Sequence, residues 1–278
     1  MNDVNDYIAS VEAWRKKREE TLRALDGWLS LTGLFELREG EQTIGSSEAC
    51  DIVLPGNAPE HLGTLAFKDN VTTLSINTDA AVLVDGVAVR QATLDDDGDG
   101  AKIPTKVTVG SVTFFVHSYG DRYAIRIKDS ASPAMQAFAG CTWFPVNPSY
   151  RVLGKFVPHT QPQVIQIETV MKTVMNYDNF GSLDFSLHGQ PISLVVTGRY
   201  SKNQLAIILR DATAGKQTYA AVRFLTVHVD DENNADVDLN KIYNPPCAFT
   251  PYATCPLPPR QNILGIAVEA GETYSDVH

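Results

Sequence analysis

The sequence contains no apolar run near the roughly 18 residues that a membrane-spanning helix requires. Its first 20 residues, Met1 to Glu20, carry charge where a secretory signal would have an apolar core. A soluble cytoplasmic protein is the expectation, and four cysteines in 278 residues are too few for a disulfide framework. Basic charge is short as well: 23 Lys and Arg stand against 33 Asp and Glu. That balance argues against nucleic acid or an anionic membrane face as a partner. The chain lacks H-E-x-x-H, G-x-S-x-G, a Walker phosphate loop and G-x-G-x-x-G, so no common catalytic or nucleotide-binding signature applies. Its six histidines (His61, His117, His159, His188, His228 and His278) include no pair four residues apart, and no metal site is expected. Cofactor use and oligomeric state stay open.

With 44% apolar and 20% charged residues, the composition is that of a folded protein of one large or two modest domains. Val4, Tyr7, Ile8, Val11, Trp14, Leu22 and Leu25 recur mostly at three- and four-residue steps, which predicts an amphipathic helix in residues 1–27, ended by Gly27. The interleaved Arg15, Lys16, Lys17, Arg18, Glu19 and Glu20 are expected to form its solvated face. From Leu29 to Lys128 the pattern changes to short β-branched or aromatic segments, punctuated by Gly, Asp, Asn and Pro about every ten residues. Eight such segments predict a β-sandwich with little helix in residues 28–130. After a junction near Ser130 to Gly140, residues 131–278 are again mostly strand, including Tyr150–Val157, Gln163–Thr169, Leu183–His188, Tyr219–Val229 and Ile263–Glu269. Ile192–Gly198 and Leu205–Arg210 flank the turn Ser201-Lys202-Asn203 and predict a hairpin. The expected fold class is mainly β: an N-terminal helix, a β-sandwich, then a second antiparallel sandwich or barrel domain.

The acidic run Asp95-Asp96-Asp97-Gly98-Asp99-Gly100 begins like a calcium loop, but Lys106 occupies the position where a bidentate Glu is required. A solvated turn without calcium is expected. The segment from Tyr243 to Pro259 is more unusual. Six of its 17 residues are proline, so it can be neither helix nor interior strand. Tyr243, Phe249, Tyr252 and Leu257 make it too apolar for a linker, and an ordered loop crossing the second domain is predicted, as a lid or as the wall of a site. Its Cys247 and Cys255 lack the close spacing of a zinc knuckle and are expected to be an incidental pair.

In Arg223–Val229, the phase that turns Leu225, Val227 and Val229 inward also turns Arg223 inward. A buried arginine has to meet a carboxylate or an anionic ligand. Asp211, Asp238 and Glu269 are the candidate carboxylates, and Tyr243 and Cys247 add a phenol and a thiol. These six residues form the candidate site, for a polar or anionic small molecule, with hydrolysis left open. The competing expectation is a structural salt-bridge network in a non-catalytic binding or scaffold protein.

Several stretches carry a family resemblance. They are GWLSLTGLFELREGEQTIGS (Gly27–Ser46), GDRYAIRIKD (Gly120–Asp129), WFPVNPSYRV (Trp143–Val152), RDATAGKQTYAAVRFL (Arg210–Leu225), DLNKIYNPPCAFTPYATCPLPPRQN (Asp238–Asn262) and VEAGE (Val268–Glu272). Together they resemble the bacterial and archaeal family known as domain of unknown function 1684, along nearly the whole chain. Glu36, where that family usually has an aromatic residue, and Leu239, where Phe is usual, depart from its pattern. The resemblance implies no activity. Within it, GEQTIGSSEACDIVLP, Ala58-Pro59-Glu60-His61 and Asp85-Gly86 resemble a degenerate forkhead-associated (FHA) β-sandwich over residues 40–120. FHA domains hold phosphothreonine with an Arg after the Gly, a Ser and an Asn; here Ser46 and Asp85 stand at two of those positions. His61 alone matches, in a structural role. The resemblance therefore implies the fold, and phosphopeptide binding is not expected.

Overall fold

The computed structural model describes residues 2–98 and 100–274; Asp99 and His278, named above, lie outside them. Backbone packing divides the chain into two units. The first comprises Thr21–Phe138 and Thr250–Ala253, and the second the chain before Thr21, Ala139–Phe249 and the chain from Thr254 onward. No described helix is long and apolar enough to cross a membrane.

Among its described residues the first unit holds eleven short strands: β1 (Leu31–Glu36), β2 (Gly40–Gly45), β3 (Ile52–Val53), β4 (Gly63–Lys68), β5 (Val71–Ile76), β6 (Val82–Val84), β7 (Val87–Ala88), β8 (Gln91–Leu94), β9 (Val107–Val109), β10 (Val112–Tyr119) and β11 (Arg122–Asp129). They form two sheets, ordered β1-β11-β10-β9-β6-β7 and β3-β2-β4-β5-β8. Two-residue alternation supplies the inner faces, so that Ile44, Leu65, Leu74, Phe114 and Ile125 meet in one core. Asp85-Gly86 joins β6 to β7 with φ of 48° and 81°, a conformation that this residue pair tolerates in a two-residue hairpin. The β-sandwich read from the sequence is the one observed. β1, β7 and β8 are additional, because Gly33 interrupts the first and the other two are short and mostly exposed.

The acidic run corrects the expectation of a solvated turn. Its segment bonds to β10, with Asp97 N donating to Val116 O at 3.0 Å, and the Asp97 side chain turns into the sheet. Asp97 Oδ2 shares a 2.7 Å bond with His117 Nδ1, Oδ1 accepts from Ser118 N at 3.1 Å, and Arg126 Nη1 stands 3.9 Å away. All three side chains are buried. Burial is the largest influence on His117 and pulls it below the ordinary imidazole value of about 6.5, with Asp97 opposing. Burial would raise the Asp97 carboxyl, but the bond from His117 and the charges of His117 and Arg126 hold it below the usual range. The two signs agree. As pH falls through about 6.5 the unfolded chain protonates its histidine while folded His117 resists, so stability falls; the Asp97 contribution is lost only below about pH 4. Thermal melts from pH 7 to 5 should show wild-type stability dropping and a His117→Gln variant with a flatter slope.

The second unit contains α1 (Asn2–Leu22) as far as Glu20, and strands β12 (Arg151–Glu168), β13 (Val174–Leu187), β14 (Gln190–Val195), β15 (Gly198–Ser201), β16 (Gln204–Leu209), β17 (Arg223–Val229) and β18 (Asn234–Asp238). The antiparallel sheet runs β14-β13-β12-β18-β17-β16-β15. Its two edges are successive parts of one run. Val196 N donates to Gly181 O at 3.0 Å on the β13 side, whereas Thr197 N donates to Ala206 O at 3.2 Å on the β16 side. The sheet thereby closes into a barrel around Phe156, Leu183, Leu194, Leu205, Leu225 and Val237. Asn262 stitches the place where the run changes partner. Its Nδ2 donates to Val195 O at 2.9 Å and Ile208 O at 2.8 Å, and its Oδ1 accepts from Val195 N at 2.7 Å.

Five readings of this unit change, the first being that the strand expected over Tyr219–Val229 begins only at Arg223. Tyr150–Val157 and Gln163–Thr169 belong to the single strand β12, bent where pairing slips between Pro158 and Gln163. The hairpin around Ser201 begins at Gly198, because β14 pairs with β13 instead. Ile263–Glu269 is not a strand; its backbone bonds go to Arg210, Ala212 and the side chains of Asp211, Arg223 and Tyr150. The basic face of α1 is not solvated throughout. Arg15 is buried, stacks 4.8 Å over Trp143 and donates to Phe144 O at 2.9 Å, while Val4 and Leu25 of the expected apolar stripe are exposed. A long aliphatic stem ending in a planar cation can cover aromatic surface as well as an apolar side chain does.

Candidate functional site

β17 delivers Arg223 as its phase dictates, with Arg223, Leu225, Val227 and Val229 all buried. Nη1 donates to Ala270 O at 2.8 Å, and Nη2 donates to Val268 O at 3.1 Å and pairs with Asp211. Asp211 Oδ1 accepts from Thr213 N at 2.9 Å, Thr213 Oγ1 at 2.7 Å and Val268 N at 3.1 Å. Burial pulls the guanidinium below its ordinary value, and the charge of Asp211 opposes that. The pair is satisfied almost entirely by its own chain, which is the geometry of a network that fixes Val268–Ala270.

The other candidate carboxylates do not converge on Arg223. Asp238 Oδ1 accepts from Tyr7 Oη at 2.8 Å and Asn240 N at 3.2 Å, and its Oδ2 pairs with Lys241 Nζ at 3.1 Å. Asn240 Nδ2 donates to Tyr7 Oη and to Asn147 O, each at 2.9 Å, so Asp238 and Asn240 anchor α1. Burial, then Asp238, push the Tyr7 hydroxyl far above its usual value. Glu269 is exposed, and its backbone N donates to Tyr150 Oη at 3.3 Å.

Glu272 is the buried carboxylate that the sequence reading missed. Gly271 makes its position possible: φ is 81°, and a β-carbon there would fall 2.4 Å from Ile242 O. Glu272 is 1% exposed; its Oε2 accepts from Asn244 N at 3.0 Å, and Arg18 Nε lies 3.9 Å from that oxygen. Arg18 Nη2 donates to Asn244 O at 2.8 Å, and its guanidinium lies 4.7 Å over Tyr243 and 5.8 Å over Phe249. Trp14 completes the aromatic wall, 6.2 Å from Tyr243 and 5.7 Å from Trp143. Burial raises the Glu272 carboxyl above the usual range, although Arg18, Asn244 and the Cys141 thiol pull it down. Burial, then the charge of Glu272, push the Cys141 thiol up. Arg18 Nε and Asn244 Oδ1 are buried without a hydrogen-bond partner among the described residues. Of the predicted site residues, Tyr243 alone belongs to this cluster. Two signals could have found the rest: Arg18 fills the stripe between Trp14 and Leu22 at helical spacing, and Gly-Glu closes the VEAGE segment.

Cys247 sits in the ordered proline-rich loop, on the single turn Pro246–Ala248, in which Ala248 is buried, as is Cys255. Its N donates to Cys255 Sγ at 3.3 Å, and its carbonyl accepts from Tyr219 Oη at 3.0 Å. All four cysteines are thiols. Among the described residues no group of three or more His, Cys, Asp or Glu is placed to hold a metal ion. In the first unit Ser46 Oγ donates to Ala58 O and Asp85 Oδ1 accepts from Lys106 N, both at 2.8 Å, so these two FHA positions serve their own loops.

A family model described as a protein of unknown function (DUF1684) matches residues 136–273. The segments quoted from Trp143 to Glu272 fall within it, whereas Gly27–Ser46 and Gly120–Asp129 lie outside. An uncharacterized protein of Haloarcula marismortui is 30% identical, the match covering 53% of this chain and 83% of that one, with a TM-score of 0.44. A phosphothreonine-dependent FHA domain and the FhaA FHA domain are each 18% identical over 34% of this chain, covering 92% and 97% of theirs, with TM-scores of 0.24. No curated protein matches. With the compositionally odd segment Asp238–Asn262 inside the matched region, residues 136–273 of this chain belong to the DUF1684 family.

Proposed function

We propose that the second unit binds a polar or anionic small molecule in the cytoplasm and hydrolyses it, with Glu272 as the acid–base group and Arg18 as the anion-binding cation. The observation that carries this reading is a buried carboxyl with raised proton affinity beside a guanidinium and an amide that each keep one unpartnered polar atom among the described residues. A carboxyl shifted toward neutral pH can take a proton from water and return it to a leaving group. Arg18, its guanidinium over the Tyr243 and Phe249 rings, keeps Nε for the ligand. Asp211 and Arg223 act at a distance by fixing the chain that leads to Glu272.

A panel of nitrophenyl esters and nitrophenyl phosphates, assayed from pH 5 to 9, tests the reading. Turnover is expected to rise as Glu272 deprotonates, with its acid limb above the ordinary carboxylate range. Glu272→Gln, which keeps an acceptor for Asn244 N, should lower kcat about 100-fold or more at unchanged Tm. Equal turnover by the variant would reject the assignment, and no turnover or binding by wild type across the panel would favour the scaffold reading.

A further inference from the structure

We infer that Cys247 and Cys255 form a second, separate site: a dithiol that a hydroperoxide oxidises to an intramolecular disulfide. The argument is geometric and independent of the Glu272 reading. Cys247 N lies 3.3 Å from Cys255 Sγ. Adding an N–Cα bond of about 1.46 Å, that sulfur is within about 4.8 Å of Cys247 Cα. Across a disulfide the far sulfur stands roughly 4 Å from that carbon, so side-chain rotation rather than backbone movement completes the approach. The loop is held from both sides. Val170 N donates to Cys255 O at 2.9 Å, Leu257 N to Glu168 O at 2.8 Å, and Tyr219 Oη to Cys247 O at 3.0 Å.

The two thiols are unequal. Cys247 is half-buried and Cys255 is buried, the asymmetry of an attacking and a resolving sulfur. The Cys255 thiol, then the Tyr219 hydroxyl, hold Cys247 below the usual thiol value against the opposing push of burial. Cys141, with similar exposure, is pushed the other way by burial and by Glu272. Thiolate character therefore selects Cys247.

In the first step the Cys247 thiolate attacks the distal peroxide oxygen. The O–O bond breaks, an S–O bond forms, and the other oxygen leaves as an alcohol, or as water from hydrogen peroxide, after taking a proton. In the second step the Cys255 sulfur attacks the sulfenic sulfur. The S–O bond breaks, the S–S bond forms, and the departing oxygen carries off the Cys255 proton as water. The dithiol loses two electrons and the peroxide gains them.

The full chain treated with hydrogen peroxide, alkylated and cleaved with trypsin without reduction provides the test, because one peptide, Ile242–Arg260, contains both cysteines. That peptide should lose two hydrogens and escape alkylation while the Cys50 and Cys141 peptides are still alkylated. Cys255→Ser should accumulate a dimedone-reactive sulfenic acid at Cys247, and Cys247→Ser should slow oxidation of Cys255 at least tenfold. Three results would each overturn the assignment. They are prior oxidation of Cys50 or Cys141, unchanged oxidation of Cys255 in Cys247→Ser, and a doubly alkylated Ile242–Arg260 peptide after peroxide exposure that fully oxidises glutathione.

Discussion

Arg223→Ala is expected to lower the stability of the barrel unit by about 3–5 kcal/mol, because it leaves the Asp211 carboxylate buried without its cation. Both side chains are 1% exposed, so water cannot take the place of the guanidinium without opening the core. The carbonyls of Val268 and Ala270 lose their donors in the same change. Asp211→Ala should be nearly as harmful, since Thr213 N and Val268 N then lose an acceptor. The double variant should be less destabilised than the sum of the two, because no isolated charge remains. Urea unfolding of the four proteins measures this coupling. An unchanged midpoint for Arg223→Ala would show that the pair does not hold the fold.

Replacement of Asn262 by Leu should be comparably damaging, at about 3 kcal/mol or more. One fully buried amide satisfies Val195 N, Val195 O and Ile208 O at a point where β14 and β16 do not bond to each other. Leu fills a similar volume but leaves those three backbone groups unpaired, at about 1–3 kcal/mol each before relaxation. Denaturant melts report the total, and amide exchange at Val195 should accelerate more than exchange in β17. Wild-type stability in Asn262→Leu would mean that the seam closes without the amide.

These two residues also mark what sequence could and could not reveal. Arg223 was legible because strand alternation is a local rule, and a single phase assignment placed its charge inward. Asp211 was legible as a partner because buried charge must be compensated. Asn262 was not, since a lone polar residue after a run of prolines looks like any loop residue until two strands arrive beside it. Ile263–Glu269 misled for the opposite reason. Its apolar residues do line the core through Val268, but the backbone there bonds to a single neighbouring segment and to the side chains of Asp211, Arg223 and Tyr150 rather than to a ladder. β18 escaped notice because Asn234, Asp236 and Asp238 dominate its composition, although Ala235 and Val237 carry its inner face. The Glu272 cluster is assembled from Arg18, Cys141, Asn244 and Glu272, and no spacing rule connects positions so far apart.

That separation shapes how the chain can be made. Arg18 leaves the ribosome about 250 residues ahead of Glu272, an interval of roughly 13–50 s at about 5–20 residues per second. Throughout it, Trp14, Arg15 and Arg18 have no Trp143, Tyr243 or Asn244 to meet, while residues 21–138 can already assemble their own sheets. The first helix is thus synthesised well ahead of the segments it packs against and is among the last to find its place, which makes its aromatic face a surface that a chaperone has to hold through that interval.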